Sequence, residues 1–396
     1  MRKHLWKVSL GALGLLAALI FPAQAGNPNC KEVDGDYIVS FPKSANVGNE
    51  MKAAAGKQIT TKFDYNTALN GFAATLTAEQ ACAFKKRPGA IVERDVEVFA
   101  KPRSGSTTTT NWYSWGLNRI DEKTLPLNDA ADSTNSTFSR GTDDGSGVKA
   151  YIIDTGIYSS HSQFQGRVVK GFTAINDGRG TEDCNGHGTH VAGTVGGLNT
   201  GVANKVTLVA VRVLNCQGSG TWSGVIAGIN YIISNKSGAS VANMSLGGGY
   251  SESVNLAIKN LVGAGVVTVV AAGNDGADAC NYSPAGEPLA ITVGATDNPT
   301  SDTEGIASYS NTGKCVDIYA PGTNIKSTWI GNTNASNTIS GTSMASPHVT
   351  GIIARYLKVY PNSTPAEALS ALNAKKNPLG STNVYIACLI NECTKS

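Results

Sequence analysis

An α/β domain on a mostly parallel sheet with helices on both faces, preceded by a small α+β unit, is the fold class the sequence predicts. Three observations predict it. Five continuous apolar runs lie beyond residue 112, as expected of strands covered on both faces. Segments of helical spacing fall between several of them, the alternation of a parallel sheet. The first hundred residues instead carry shorter strand-like runs and end in a polar stretch without apolar period. The composition agrees. With 396 residues, 45 glycines and only 15% charged side chains, the chain suits a compact, tightly turned enzyme, not a disordered or coiled-coil protein.

The elements follow in order. Residues 1–25 read as an export signal: Arg2, Lys3 and Lys7 give a positive start, Leu10 to Phe21 an apolar run, and Ala23-Gln24-Ala25 a small-x-small cleavage site. No other segment approaches 18 unbroken apolar residues, so the mature protein is expected to be soluble, secreted and free of membrane. Residues 26–106 form the small unit and linker. YIVSF (37–41), ITTKFDY (59–65) and FAATL (72–76) read as strands, Val47 to Gly56 as a helix, and AIVERDVEVF (90–99) as one closing strand. Thr77, with Gln80 at the capping-box position, starts the second helix. The order β-α-β-β-α-β is that of the ferredoxin-like motif. KPRSGSTTTTN (101–111) reads as an exposed linker open to proteolysis.

Residues 107–396 form the large domain. VKAYIID (148–154), LVAVRVL (208–214), VANMSL (241–246), GVVTVVAAGN (265–274) and LAITVGA (289–295) are its strands. GTHVAGTVGG, SGVIAGINYIIS and SVNLAIKNLVGA supply helices between them. Such sheets bind ligands at the C-terminal ends of their strands. From residue 107 onward 18 basic and 20 acidic side chains give a net charge of −2, which argues against nucleic acid as the main partner.

Three polar residues stand at such ends. Asp154 closes YIID before a turn, Asn274 closes VVTVVAAGN, and Ser343 lies where a Gly/Ser turn gives way to the buried-looking helix MASPHVTGIIARYL, with Pro347 in its first turn. A hydroxyl there meets free N–H groups and the positive end of the helix dipole. His4 leaves with the signal, and His161 reads as structural or exposed. His348 is five residues from Ser343, about 140° round the helix, so the two side chains diverge. His187, between Gly186 and Gly188, is the better base. His190 lies three residues on, but the spacing lacks the Glu of the H-E-x-x-H metal motif. Singly, each motif also reads as a turn, a cap or a loop; their conjunction points to catalysis.

With these motifs the chain resembles the subtilisin-type serine endopeptidases of the proteinase K group. AYIIDTGI (150–157), NGHGTHVAGTVGG (185–197), VRVLNCQGSG (211–220), ANMSLGGG (242–249), AAGN (271–274) and SGTSMASPHVTG (340–351) carry the likeness, which runs from Trp115 to about Tyr385. The chain order Asp, His, Ser is also the family's. The resemblance implies Ser343 as nucleophile, His187 as general base and acid, Asp154 as the carboxylate orienting the imidazole, and Asn274 as an oxyanion donor with the Ser343 N–H. It implies a cleft whose edges, Gly218-Ser219-Gly220 and Ser245-Leu246-Gly247, pair with an extended peptide. Ala271 and Gly273 would line the primary pocket, and Trp222 a more distant apolar subsite. Broad specificity with an apolar or aromatic preference is expected, on protein and peptide substrates. The small unit resembles the family's inhibitory propeptide, removed by self-cleavage between 100 and 111.

Disulfides Cys184–Cys216 and Cys280–Cys315 are implied by the same resemblance, with Cys388–Cys393 and Cys30–Cys82 as further pairs. Structural calcium is implied at Asp317 with the carbonyls of Pro288 and Ala290, and at a second site at Asp121 near Asn128, with no catalytic cofactor. A monomer is expected. Two rivals stay open at this point: a binding protein that keeps the fold without activity, against which every catalytic position carries a competent residue, and a metallohydrolase using His187 and His190.

Overall fold

The computed structural model describes residues 31–55, 59–100, 114–122, 142–299, 303–379 and 385–387, together with positions 102, 112, 125, 127 and 138. The export-signal segment, Cys30, Asn128, Cys388, Cys393 and all of the linker 101–111 except Pro102 lie outside these residues.

The small unit runs β1 (Gly35–Ser40), α1 (Val47–Ala55), β2 (Thr61–Tyr65), β3 (Gly71–Leu76), α2 (Ala78–Lys85) and β4 (Ile91–Arg94). Its sheet has the order β2-β3-β1-β4 and is antiparallel throughout. The expected capping box forms at α2: the Thr77 side chain accepts from the Gln80 N–H, and the Gln80 side chain accepts from the Thr77 N–H. Phe41, Phe72 and Phe84 pack edge to face or tilted between helices and sheet.

The expected closing strand 90–99 is two strands. It breaks after Arg94, and β5 (Glu97–Phe99) leaves the small sheet to pair with the large domain. The cause lies at the break, where the Asp95 carboxylate accepts from the N–H and hydroxyl of Ser223 at the start of a large-domain helix. Burial raises the Asp95 carboxyl above its ordinary range.

The large domain follows as α3 (Trp115–Asp121), β6 (Lys149–Asp154), β7 (Val168–Thr173), α4 (His187–Gly196), β8 (Thr207–Arg212), β9 (Ser219–Thr221), α5 (Trp222–Asn235), β10 (Ser240–Met244), β11 (Gly248–Gly249), α6 (Glu252–Gly263) and β12 (Val267–Ala271). Then come β13 (Tyr282–Ser283), β14 (Ile291–Thr296), β15 (Ile318–Pro321), β16 (Ile325–Thr328), β17 (Ser336–Ile339), α7 (Thr342–Val359), α8 (Pro365–Lys375), β18 (Asn377–Pro378) and β19 (Tyr385–Ile386). Nine strands form the main sheet in the order β18-β19-β15-β14-β12-β10-β6-β8-β7. All pairings in it are parallel except β18 with β19. The five apolar runs supply β6, β8, β10, β12 and β14.

Alternate strand residues feed two cores, as the pleat requires. Ala150, Ile152, Leu208, Ala210 and Val269 join α4 and α7 on one face. Tyr151, Ile153, Val209, Val211 and Val270 join α5 and α6 on the other. Every residue from Thr342 to Leu357 of α7 is buried, the mark of a helix that passes through a core. Gly351 makes that passage possible: a Cβ there would stand 2.4 Å from the Val202 Cβ.

The small unit docks on α5 and α6. Tyr65, Ala68 and Leu69 are buried in the second core. The N–H groups of Asn66, Thr67 and Ala68 converge on Asn230 Oδ1 at 2.9–3.1 Å. The Glu93 carboxylate accepts from the N–H groups of Glu252 and Ser253 and from the Ser251 hydroxyl, closing the N-terminus of α6. Each such cap contributes about 1 kcal/mol.

Candidate active site

The parallel sheet places its loops at one edge. Asp154 ends β6, Ser245 follows β10 and Asn274 follows β12, all at C-terminal strand ends. His187 opens α4 and Ser343 is the second residue of α7, and these two helices pack against each other.

Asp154 and His187 are both fully buried, and Nδ1 of His187 lies 2.8 Å from Asp154 Oδ1 and 3.0 Å from Oδ2. The Thr155 N–H donates to the same carboxylate at 2.7 Å. A buried carboxylate needs such partners to stay charged. The flanking glycines have separate causes. A Cβ on Gly188 would stand 2.2 Å from the Gly156 carbonyl, and one on Gly186 (φ 108°) would stand 2.5 Å from the Trp329 ring. They admit a backbone and an indole, not only a substrate.

A second buried carboxylate, Asp183, escaped the sequence reading. Its oxygens accept from the Asn185, Gly186 and Thr189 N–H groups and from the Thr155 and Thr189 hydroxyls. Burial pushes its carboxyl up against these bonds. Thr155 Oγ1 in turn accepts from the Gly188 N–H, so the Asp154 turn and the His187 helix share one network. In the sequence an Asp four residues before a His carries no such signal.

Ser343 Oγ donates to the Ser245 carbonyl at 3.1 Å, and Ser245 Oγ donates back to the Ser343 carbonyl at 2.9 Å. Pro347 explains the second bond. It is not in the first turn, as expected, but is the sixth residue of α7. Its missing N–H leaves the Ser343 carbonyl without its helical donor, and Ser245 takes that place. His187 Nε2 has no hydrogen-bond partner, so hydroxyl and imidazole are not bonded to each other here. Catalytic bonds of this kind commonly tighten only around a substrate. Asn274 Oδ1 accepts from the N–H and hydroxyl of Thr342, both at 2.9 Å, which turns the Nδ2 end of the amide away from Thr342.

A cleft of about 480 Å³ opens at Ser343, lined by Leu246, Gly247, Ala271, Gly273 and Asn274 among others. β5 lies along it. Its Glu97, Val98 and Phe99 pair antiparallel with Thr221, Gly220 and Ser219. Phe99 and Gly247 exchange two N–H···O bonds at 3.2 Å, and the Ala100 N–H donates to the Gly218 carbonyl at 2.9 Å. The tail of the small unit thus occupies both expected edge segments as an added strand. Trp222, expected at an apolar subsite, is 1% exposed; its backbone N–H donates to the Val96 carbonyl, and its ring packs beneath Gly248 in one core with Val98.

The other described histidines are buried. His161 Nδ1 accepts from the Gln163 N–H, its Nε2 bonds to the Ala335 carbonyl, and it is structural. His190 Nε2 bonds to the Ile325 carbonyl, and His348 Nδ1 to the Met344 carbonyl, turned from Ser343 as the helix arithmetic requires. Cys184 pairs with Cys216 and Cys280 with Cys315. Cys82 is disulfide-bonded; Cys30, Cys388 and Cys393 lie outside the described residues. Asp177 lies near Cys184 and Cys216, but disulfide sulfurs are no thiolate ligands, and its carboxylate binds Arg212 bidentately. Asp317 accepts from the Thr292 N–H at 2.8 Å, and partial desolvation raises its carboxyl. Asp121 is buried at the end of α3. No described helix is long and apolar enough to cross a membrane.

Comparison with known proteins agrees with this geometry. The family model described as "Subtilase family" matches residues 145–385. An extracellular serine proteinase of Thermus sp. (strain Rt41A) is 49% identical over 309 residues, 78% of this chain and 71% of that one. A cuticle-degrading protease of Metarhizium anisopliae is 40% identical over 92% of both chains. The crystal structure of a cold-adapted subtilisin-like serine proteinase, 46% identical, superposes with a TM-score of 0.63 over 69% of this chain and 97% of that one.

Burial holds His190 down at about 3 and His348 at about 4. An unfolded histidine titrates near 6.5. As pH falls below that value the unfolded chain takes up protons that the folded chain refuses, so stability is lost with falling pH. Thermal unfolding followed in a Ser343→Ala background is expected to show Tm falling steadily from pH 6.5 to 4. His348→Gln should flatten that slope, and an unchanged slope would show that His348 is not held neutral.

Proposed function

The chain belongs to the subtilase family, whose members are serine endopeptidases, and from that premise we propose that it is a secreted, monomeric enzyme of broad specificity made as a self-processing zymogen. The observation that carries the reading is β5, an extended segment paired with Ser219–Thr221 and Gly247 beside Ser343. It supports two statements together: the cleft takes peptides by strand addition, and the chain's own N-terminal unit fills it before maturation.

Ser343 Oγ attacks the scissile carbonyl while His187 Nε2 takes its proton, then gives that proton to the leaving amine. Asp154 holds the imidazole through Nδ1 and stabilises the imidazolium. The developing oxyanion receives the Asn274 side-chain N–H and the Ser343 N–H, which in the first turn of α7 has no intrahelical acceptor. Water then cleaves the acyl-enzyme by the same route. Backbone pairing supports broad specificity, and the small residues Ala271 and Gly273 support an apolar or aromatic preference in the primary pocket.

Residues 26–106 act as the inhibitory propeptide and its linker, with the cut between 100 and 111. A full-length Ser343→Ala chain expressed alone should keep its N-terminal unit, whereas the wild type loses it. Maturation of the variant, read by mass spectrometry, would remove self-processing from the account.

Calcium fits the chemistry at Asp317. A hard carboxylate oxygen whose ionisation partial desolvation disfavours suits a divalent cation with carbonyls from Pro288 and Ala290. The ion supplies positive charge to the fold and takes no part in peptide cleavage. EDTA is expected to lower Tm and added Ca²⁺ to restore it; a Tm indifferent to both would remove the site.

A further inference from the structure

Two side chains from elsewhere in the fold fasten the loop that carries Asn274: Thr342, whose hydroxyl accepts from the Gly273 N–H at 3.1 Å, and Asn311. Asn311, between β14 and β15, is fully buried. Its Nδ2 donates to the Ala272 carbonyl at 2.9 Å. Its Oδ1 accepts from the Asp275 N–H at 3.0 Å and the Ala277 N–H at 2.9 Å, and its own N–H donates to the Gly273 carbonyl at 2.9 Å. These bonds reach residues on both sides of Asn274. Contact is close as well: Gly273 has φ 104°, and a Cβ there would stand 2.3 Å from Asn311 Nδ2. Farther out the same two loops are joined by the Gly276 N–H to the Tyr309 carbonyl, the Thr312 N–H to the Ala277 carbonyl, and the Cys280–Cys315 disulfide.

We propose that Asn311 is a positioning residue for the oxyanion donor, fixing the backbone from which the Asn274 amide projects. This rests on the reading of Asn274 as that donor. Oxyanion stabilisation depends on donors already placed when charge develops, so a small displacement of the loop is felt in the transition state more than in substrate binding. Asn311 is not among the residues lining the cleft, so its effect must travel through the loop. Thr342 fixes the oxygen end of the Asn274 amide from one side, and Asn311 fixes the main chain from the other.

The test is a double-mutant cycle on matured enzyme, with kcat and KM on a chromogenic peptide normalised to active sites. Asn274→Ala is expected to lower kcat about a hundredfold. Asn311→Ala should lower kcat about tenfold or more with KM nearly unchanged. In the Asn274→Ala background, adding Asn311→Ala should cost nothing further, because the group it positions is gone. The same loss in both backgrounds would make Asn311 merely structural, and an unchanged kcat in the single variant would overturn the proposal outright. Full turnover in Asn274→Ala would instead remove the oxyanion reading, and this inference with it. Should Asn311→Ala fail to fold, Asn311→Asp keeps the acceptor for Asp275 and Ala277, loses the donor to Ala272, and runs the same cycle with a smaller expected loss.

Discussion

Asp154 and His187 meet without solvent, and much of the surrounding sequence follows from keeping that pair intact. Removing one partner of a buried, hydrogen-bonded ionisable pair typically costs about 3–5 kcal/mol, because the other is left unpaired. Thr155 supplies the further donor to Asp154, and Asp183 binds the turn that holds Thr155 to the helix that begins at His187. Gly186 and Gly188 let the Trp329 ring and the Gly156 carbonyl approach where any side chain would collide. The Cys184–Cys216 disulfide ties the lead-in to His187 to the edge of the cleft. The imidazole proposed as the base is useful only in one tautomer and one orientation, and these neighbours all restrict its freedom.

The small N-terminal unit uses a different set of contacts. Glu93 and Asp95 each close the N-terminus of a large-domain helix, where free N–H groups and the dipole favour an anion. Asn230 gathers three successive N–H groups of the hairpin after β2. These anchors lie away from Ser343, yet they aim the following four residues into the cleft. Docking and occupation are thus separate contributions: caps of about 1 kcal/mol each hold the unit, and the backbone ladder of β5 fills the site.

The sheet was legible because strands covered on both faces must be apolar throughout, and five such runs became five adjacent interior strands, β14-β12-β10-β6-β8. The candidate residues could be proposed from conjunction, since Asp154, Asn274 and Ser343 all stand at strand or helix ends. What could not be read was set by tertiary partners. The run 90–99 has one unbroken β pattern, but the pull of Ser223 on Asp95 divides it. Pro347 looked like a first-turn proline, and only Ser245 Oγ on the Ser343 carbonyl explains it deeper in the helix. Trp222 packs in one core with Val98 of the docked β5 tail, a contact made across more than a hundred residues of chain. Asn311 and Asp183 carry no motif, because their importance lies in bonds to residues far along the chain.

The central claim is that Ser343 is a nucleophile activated by His187, and covalent labelling tests it most directly. Matured enzyme treated with a serine-directed fluorophosphonate and mapped by mass spectrometry is predicted to carry a single adduct at Ser343, formed in the presence of a zinc chelator and lost in a His187→Ala chain whose N-terminal unit has been removed by added wild-type enzyme. An adduct on another residue, or labelling of Ser343 at an undiminished rate without His187, would contradict the account.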